Sequence, residues 1–177
     1  ARVERNISPM LDFETARQKL LQAAPSLDAT SVRLENAVGR ILATNITAPH
    51  PHPLFDNAAM DGYAICAQQP SYRILGPHAA GNATPSSLAE NQALEIMTGA
   101  PIPANATQVV PYEDATIKND RLFIEKTSEK SNIRRAGEDI QKGDTVLTTG
   151  TCLTAEHMMV LANLGIQDVS VFKKARI

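Results

Sequence analysis

Three prolines at alternate positions in the segment PHPHP, residues 49–53, restrict the fold of this chain more than any other feature. Proline lacks a backbone N–H and disfavours helical backbone in the residue before it, so no helix continues through this segment. Beyond it, the apolar runs SYRIL, ALEIM, QVVPYEDATI and RLFIEK are typical of strands separated by turns. The last two runs meet at Asn119-Asp120, a dipeptide that favours a tight hairpin.

The N-terminal segment SPMLDFETARQKLLQAAPSL predicts a helix, because its apolar residues recur every three to four positions. This apolar stripe consists of Phe13, Ala16, Leu20 and Ala23. Two starts are open: Asp12 as the capping residue, or Ser8 with Pro9 directly after it. Pro25 ends the helix in either case.

Near the other end of the chain, AEHMMVLANL predicts a second helix, which Thr154 caps and Gly165 closes. The alternating run DVSVF then predicts a final strand. Between the first helix and the prolines, SVRLENAVGRILATNITA predicts a short strand followed by a short helix around residues 37–43, which Gly39 weakens.

Helix patterns at both ends and strand patterns in the middle predict an α+β, β-rich fold. We expect a mixed α/β domain formed by residues 1–45 and 140–177. We expect a β-rich domain, residues 46–139, to be inserted into it. The 177 residues supply enough chain for two small cores.

Composition and charge exclude several classes of function. The net charge of −2 argues against non-specific binding of nucleic acid, which needs a basic surface. No apolar run approaches the roughly 20 residues of a membrane helix, and no signal peptide is visible. The two cysteines, Cys66 and Cys152, form no paired motif. We therefore expect a cytoplasmic protein with no membrane contact.

The loops carry the acids that bear on chemistry, which are Asp56, Asp61, Glu113, Asp114, Glu138 and Asp139. Hard cations such as Mg²⁺ prefer oxygen ligands, and phosphate chemistry usually needs such a cation. Loop acids also act as solvated or turn-capping residues, and that alternative stays open. Asp61 stands out within FDNAAMDGYAI, residues 55–65, because its apolar flanks indicate partial burial, and a buried carboxylate needs a partner.

Two further segments carry groups that suit anions. MTGAPIP places Thr98 before Gly99, where the hydroxyl and nearby backbone N–H groups suit an oxyanion. The alternative is a turn in which the threonine bonds its own backbone. NIRRAGEDI holds Arg134, whose guanidinium suits bidentate phosphate contact, although a local surface ion pair with Glu138 or Asp139 is the alternative.

A zinc site is poorly supported. His50 and His52 lie on one side of an extended segment, and Asp56 is near in sequence, but no second ligand pair has a familiar spacing. The sequence also lacks the G-x-S-x-G, P-loop and dinucleotide-binding motifs.

Four segments in this order, FDNAAMDGYAI, IMTGAPIP, VVPYED and IRRAGEDIQKGD, resemble the successive motifs of the MoeA family, the molybdopterin molybdenumtransferases. The C-terminal part of gephyrin is similar. The resemblance implies an elongated fold of bifurcated, coiled sheets with a few helices, as in the MoeA N-terminal region, and a homodimer. It also implies insertion of molybdate into adenylylated molybdopterin, with Mg²⁺, during molybdenum cofactor biosynthesis.

The resemblance assigns four residues to a catalytic site. The motif Asp of AMDGYA falls on Asp61, and the motif Thr of MTGA falls on Thr98. The Arg and Asp of RxxGED fall on Arg134 and Asp139. By this resemblance Asp61 and Asp139 bind the metal, and Thr98 and Arg134 bind the cofactor precursor. The resemblance also implies that these residues line a cleft, which another domain of the partner subunit completes.

The sequence departs from the family pattern in places. Ala58 stands where serine is usual, Asn105-Ala106-Thr107 where Gly-Ala-Asp is usual, and KKARI lacks the usual proline. We expect these changes to alter loops only. The family's pterin- and nucleotide-binding domain normally follows the point where this sequence stops, so we expect this chain by itself to be inactive.

Two other functions compete with this reading. A non-catalytic dimerisation or scaffold module of gephyrin type would tolerate loss of the motif acids. A magnesium-dependent phosphohydrolase on an unrelated fold is the weaker rival.

Overall fold

The computed structural model describes residues 10–81, 87–126 and 128–175. Ser8 and Pro9, the alternative start of the first helix, lie outside these residues, as do Arg176 and Ile177 of KKARI.

The chain divides into two compact units. The first consists of Ala1–Thr44, Thr149–Ala162 and Ile166–Ile177, and the second of Asn45–Thr148 and Asn163–Gly165. Residues 140–148 thus lie in the second unit. Whether the units are independent domains stays a prediction.

The first unit contains the N-terminal helix α1, Phe13–Ala23. Asp12 caps it, because its Oδ1 atom accepts a hydrogen bond from the Thr15 N–H at 2.9 Å. This confirms the Asp12 start. No residue of α1 is buried.

A two-stranded antiparallel sheet pairs an N-terminal strand with a C-terminal strand within the first unit. Strand β1, Ala29–Arg33, pairs along its length with the last strand, Asp168–Phe172. Most of helix α2, Ala155–Asn163, belongs to the same unit and buries Leu161. The predictions of this helix and of the final strand are confirmed.

The helix predicted around residues 37–43 is wrong. Leu34–Asn36 forms a single 3₁₀ turn, and Ile41 and Leu42 then form isolated bridges with Cys152 and Val171. Gly39 has φ of +75°, which is incompatible with a right-handed helix. Backbone bridges to residues distant in sequence therefore override the weak local helix pattern.

The second unit holds ten strands of the described residues. They are β2 Ile46–Thr47, β3 Asn57–Ala58, β4 Gly62–Ile65, β5 Tyr72–His78, β6 Gln92–Ile96, β7 Gln108–Pro111, β8 Ala115–Lys118, β9 Arg121–Ile124, β10 Ile133–Arg134 and β11 Thr145–Leu147. The last strand of the chain, Asp168–Phe172 in the first unit, is β12. Six strands of the second unit form one mixed sheet in the order β7-β4-β6-β5-β9-β8, in which only the β5–β6 pair is parallel. Two-stranded pairs β3–β10 and β2–β11 complete the unit.

Strand β4 lies inside this sheet and is buried along its whole length. Ala64 joins one apolar cluster, and Tyr63 and Ile65 join another. Because side chains alternate across a strand, the two clusters lie on opposite faces of the sheet. Apolar clusters therefore cover β4 on both faces and fix the position at which the loops before and after it begin.

The run QVVPYEDATI forms two strands rather than one. Pro111 ends β7, and the 3₁₀ turn Tyr112–Asp114 separates it from β8. The hairpin between β8 and β9 is as predicted, since Asn119 and Asp120 both have positive φ, at 50° and 58°.

The described residues form mainly strands with two α-helices, so the β-rich α+β prediction is confirmed. Neither helix is long and apolar enough to span a membrane.

Candidate functional site

Asp61 and Thr98 meet at one end of the central sheet. Strands β4 and β6 are antiparallel with Gly62 opposite Ile96, so the residue before β4 and the loop after β6 lie side by side. The Oδ1 atom of Asp61 accepts hydrogen bonds from the Thr98 N–H at 2.7 Å and from the Thr98 hydroxyl at 2.8 Å. These bonds, the backbone one first, hold the pKa of Asp61 below its ordinary value.

The environment of this pair differs from the expectation in one respect. Asp61 is exposed, as are Met60 before it and Thr98. Burial begins only at Gly62, where β4 enters the sheet. The sequence left two alternatives open for Thr98, an oxyanion or its own backbone, and in the structure its N–H and hydroxyl donate to the carboxylate of Asp61.

Arg134 is the last residue of β10, and the loop that follows it is rich in carboxylates. Its Nε atom donates to Glu138 Oε1 at 2.7 Å, and Nη2 donates to Asp139 Oδ2. The same two acids, Glu138 first, raise the pKa of Arg134. The arginine in turn lowers the pKa of Glu138, with help from the Arg135 N–H. The local ion pair that the sequence left open is therefore present, in a half-exposed setting.

Asp56 anchors this arginine loop from a distance in sequence. Its Oδ1 atom accepts the Ala136 N–H at 2.8 Å, and its Oδ2 atom accepts a hydrogen bond from the Arg135 guanidinium. Sequence reasoning missed this role, since the partners are about 80 residues away. The bonds lower the pKa of Asp56, the Ala136 bond contributing most.

The two pairs, Asp61–Thr98 and Arg134–Asp139, flank the same short strand, β3. On one side, Ala58 exchanges backbone hydrogen bonds with the loop after Thr98, through Gly99 N and Ala100 O. On the other side, β10 pairs Arg134 with Asn57. A cavity of about 280 Å³ opens here, lined by His52, Pro53, Leu54, Phe55, Asn57, Gly99, Arg134 and Asn163.

The described residues do not assemble a complete metal site. No group of three or more His, Cys, Asp or Glu residues in 10–81, 87–126 and 128–175 has the geometry to hold an ion. The zinc set is not formed: Asp56 bonds Arg135, and His50 Nδ1 lies 3.1 Å from the Pro51 carbonyl oxygen. His52 Nε2 lies 4.0 Å from Asp139 Oδ2.

The model of a protein family described as the MoeA N-terminal region, domains I and II, matches residues 11–165 of this chain. This chain belongs to the MoeA family. A molybdopterin molybdenumtransferase of Haemophilus influenzae is 37% identical over 175 residues, and one of Staphylococcus aureus is 31% identical over 181 residues. Those matches cover 95% and 97% of this chain but only 43% and 42% of the relatives.

Solved structures agree with the family match. A molybdopterin biosynthesis MoeA protein from Pyrococcus horikoshii superposes with a TM-score of 0.83 at 32% identity, over 91% of this chain and 45% of the other. The expected MoeA N-terminal-region fold is thereby confirmed. The chain spans about two fifths of the length of its curated relatives. The rival hypothesis of a phosphohydrolase on an unrelated fold is wrong, because the fold is that of MoeA proteins.

Proposed function

We propose that this chain is the N-terminal portion of a molybdopterin molybdenumtransferase, which inserts molybdate into adenylylated molybdopterin in molybdenum cofactor biosynthesis. The Asp61–Thr98 pair is the observation that carries the proposal. A MoeA motif residue on one loop holds a motif residue on another, 37 positions away, with two hydrogen bonds to one oxygen. A loop acid with only a solvation role needs no such partner.

The motif carboxylates fit a share of a magnesium site. Asp61 accepts both threonine bonds through Oδ1, and Asp139 contacts Arg134 through Oδ2. Each carboxylate therefore keeps its other oxygen as a candidate ligand, and oxygen is the donor that Mg²⁺ prefers. Two carboxylates fill part of an octahedral shell, whose other positions usually go to water and substrate phosphates. When bound, the ion neutralises phosphate charge during the transfer.

Arg134 supplies positive charge for the anionic substrates. Two of its five N–H donors face Glu138 and Asp139, so the guanidinium is oriented before any ligand arrives. The remaining donors are available for an oxyanion, and Arg134 lines the cavity beside β3. A held guanidinium loses less side-chain freedom on binding than a mobile one.

Thr98 contributes by fixing Asp61. Its N–H and hydroxyl favour the ionised carboxylate, which is the form that binds a cation. In this proposal Thr98 also contacts the cofactor precursor, because Gly99, the next residue, lines the same cavity as Arg134.

The partners are a second copy of the chain and C-terminal domains of the family type, in the cytoplasm. Helix α1 supports an extensive interface, since it buries none of its residues. Phe13, Leu20 and Leu21 are 81%, 74% and 62% exposed. Several large apolar side chains exposed together on one helix are typical of an interaction surface. The same observation favours the second candidate function, a non-catalytic dimerisation or scaffold module.

The chain by itself is expected to fold but not to insert molybdenum. The described residues offer carboxylates and Arg134 for charge stabilisation, and the sequence has no glycine-rich phosphate loop. Aromatic residues, which stack on pterins, make up only 4% of the chain. Without close positioning of the reactants, most of the rate advantage of an enzyme is lost.

Asp61→Asn in the full-length protein distinguishes the two candidates. The readout is reconstitution of an apo-enzyme from molybdate and adenylylated molybdopterin. Asp144→Asn is the matched control, because Asp144 is also an exposed aspartate that accepts a backbone N–H, from Gln141 at 2.8 Å. We expect a folded Asp61→Asn protein whose insertion rate is at least about tenfold lower, because loss of even an outer partner at a metal site typically costs about 10- to 100-fold in activity. Full activity in Asp61→Asn would favour the scaffold function.

A further inference from the structure

Tyr112 reaches across the central sheet at the end where Asp61 and Thr98 meet. It follows β7, which lies on one side of β4, whereas β6 lies on the other side. The Tyr112 hydroxyl donates to Glu95 Oε1 on β6 at 3.1 Å and lies 3.9 Å from the Met97 sulfur. One side chain therefore connects the two outer strands of this three-stranded row.

The ring of Tyr112 is held in place by the strand that it crosses. It packs edge-on against Tyr63 of β4, with ring centroids 5.2 Å apart and an interplanar angle of 80°. Tyr63 is buried and stands opposite Glu95 in the β4–β6 register. The edge-to-face geometry is a favoured arrangement of two aromatic rings.

The phenol remains a hydrogen-bond donor throughout the neutral range. Burial first, and then the hydrogen bond to Glu95, raise the pKa of Tyr112 to about 12. The negative charge of Asp61 acts in the same direction, which reflects its closeness to the phenol.

We propose that Tyr112 is a positioning residue for the Asp61–Thr98 pair, acting through Glu95 and the end of β6. This inference deepens the proposed function and rests on it for its biological meaning. Asp61 precedes β4 and Thr98 follows β6, so their two hydrogen bonds require the ends of these strands to stay in register. Tyr112 ties that end of β6 to the turn after β7, with β4 between them.

The test is nuclear magnetic resonance of the Thr98 amide in the 177-residue chain. A carboxylate acceptor moves an amide proton downfield and slows its exchange with solvent. In Tyr112→Phe, which keeps the ring and removes the hydroxyl, we expect the Thr98 amide proton resonance to move upfield, because its bond to Asp61 is weakened. We also expect amide exchange about tenfold faster, the factor for one hydrogen bond of typical strength. Because the readout is structural, its result is independent of whether the protein inserts molybdenum.

Three further variants separate positioning from general stability. Tyr72→Phe is the matched control, since the hydroxyl of Tyr72, on β5, is also hydrogen-bonded, although to backbone groups: it accepts from Gln69 N and donates to Ala67 O. We expect no change at Thr98 in this variant. Glu95→Ala tests the connection from the other strand if Tyr112→Phe fails to fold, and should reproduce the change. Glu95→Gln keeps an acceptor for the phenol and should preserve the Thr98 signal.

Two results would overturn the proposal. One is an unchanged Thr98 amide in folded Tyr112→Phe and Glu95→Ala proteins. The other is an equal change in Tyr72→Phe, which would show that the amide reports only overall stability.

Discussion

The carboxylate of Asp61 accepts two hydrogen bonds from one residue, Thr98, at the same oxygen atom. The backbone N–H lies 2.7 Å from Oδ1 and the hydroxyl 2.8 Å. This relationship joins two motifs that are 37 residues apart in the chain. The two bonds hold the ionised carboxylate of Asp61 in one orientation at an exposed end of the sheet. A carboxylate that binds a cation needs both the charge and the fixed orientation.

Thr98→Val should weaken this hold without abolishing it. Valine keeps the branched shape and the backbone N–H, which contributes most to the lowered pKa of Asp61, but it removes the hydroxyl donor. We expect the pKa of Asp61 to rise part of the way towards its ordinary value, measured by carboxyl-carbon resonance titration. Thr98→Ser retains a hydroxyl and should match the unmodified protein. A pKa of Asp61 that is unaffected by valine would contradict the assignment.

Asp56 should contribute stability that depends on pH. Its pKa is lowered in the folded state, so its contribution is present above the unfolded-state pKa and is lost as pH falls through the folded-state pKa. Urea unfolding at a series of pH values should therefore show that Asp56→Asn loses stability at neutral pH. The gap to the unmodified protein should close in acid below the ordinary aspartate range. Arg135→Gln should give a smaller gap, because it leaves in place the Ala136 N–H bond, the largest single cause of the lowered pKa. A gap independent of pH would count against this role.

Gly62→Ala should destabilise the second unit strongly. A Cβ atom at this position would lie 2.1 Å from the Val110 carbonyl oxygen, inside a strand that is buried on both faces. We expect a loss of about 3 kcal/mol or more in the free energy of unfolding, measured with urea. Gly76→Ala is the control, since Gly76 lies in β5 with nothing within 4 Å of the added atom. Its effect should stay within about 0.5 kcal/mol. Similar losses in both variants would contradict this account of β4.

Local signals in the sequence were enough for several elements. The Asp12 cap, the Asn119-Asp120 hairpin and the helix after Thr154 all depend on residues within a few positions of one another. Such short-range preferences act on the chain before any tertiary contact forms. The segment around residues 37–43 shows the limit, because bridges from Ile41 and Leu42 to distant residues replaced the helix.

The site was only partly predictable for the same reason. The spacing of Arg134 and Glu138 permitted a local ion pair, and the structure contains it. No local pattern indicates that Asp61 is the anion received by Thr98, since that contact depends on the β4–β6 register. The anchoring of Ala136 by Asp56 depends on a still longer separation of 80 residues.

The central claim is that the Asp61–Thr98 and Arg134–Asp139 pairs form one site that shares a cation. Mn²⁺ favours the same oxygen ligands as Mg²⁺ and broadens the resonances of nearby nuclei. Titration of the 177-residue chain with Mn²⁺ should broaden the amide resonances of Thr98 and Asp139 together, at the same metal concentration. This effect should disappear at both residues in Asp61→Asn and persist in Asp144→Asn. Broadening at only one of the two pairs, or at neither, would contradict the shared site.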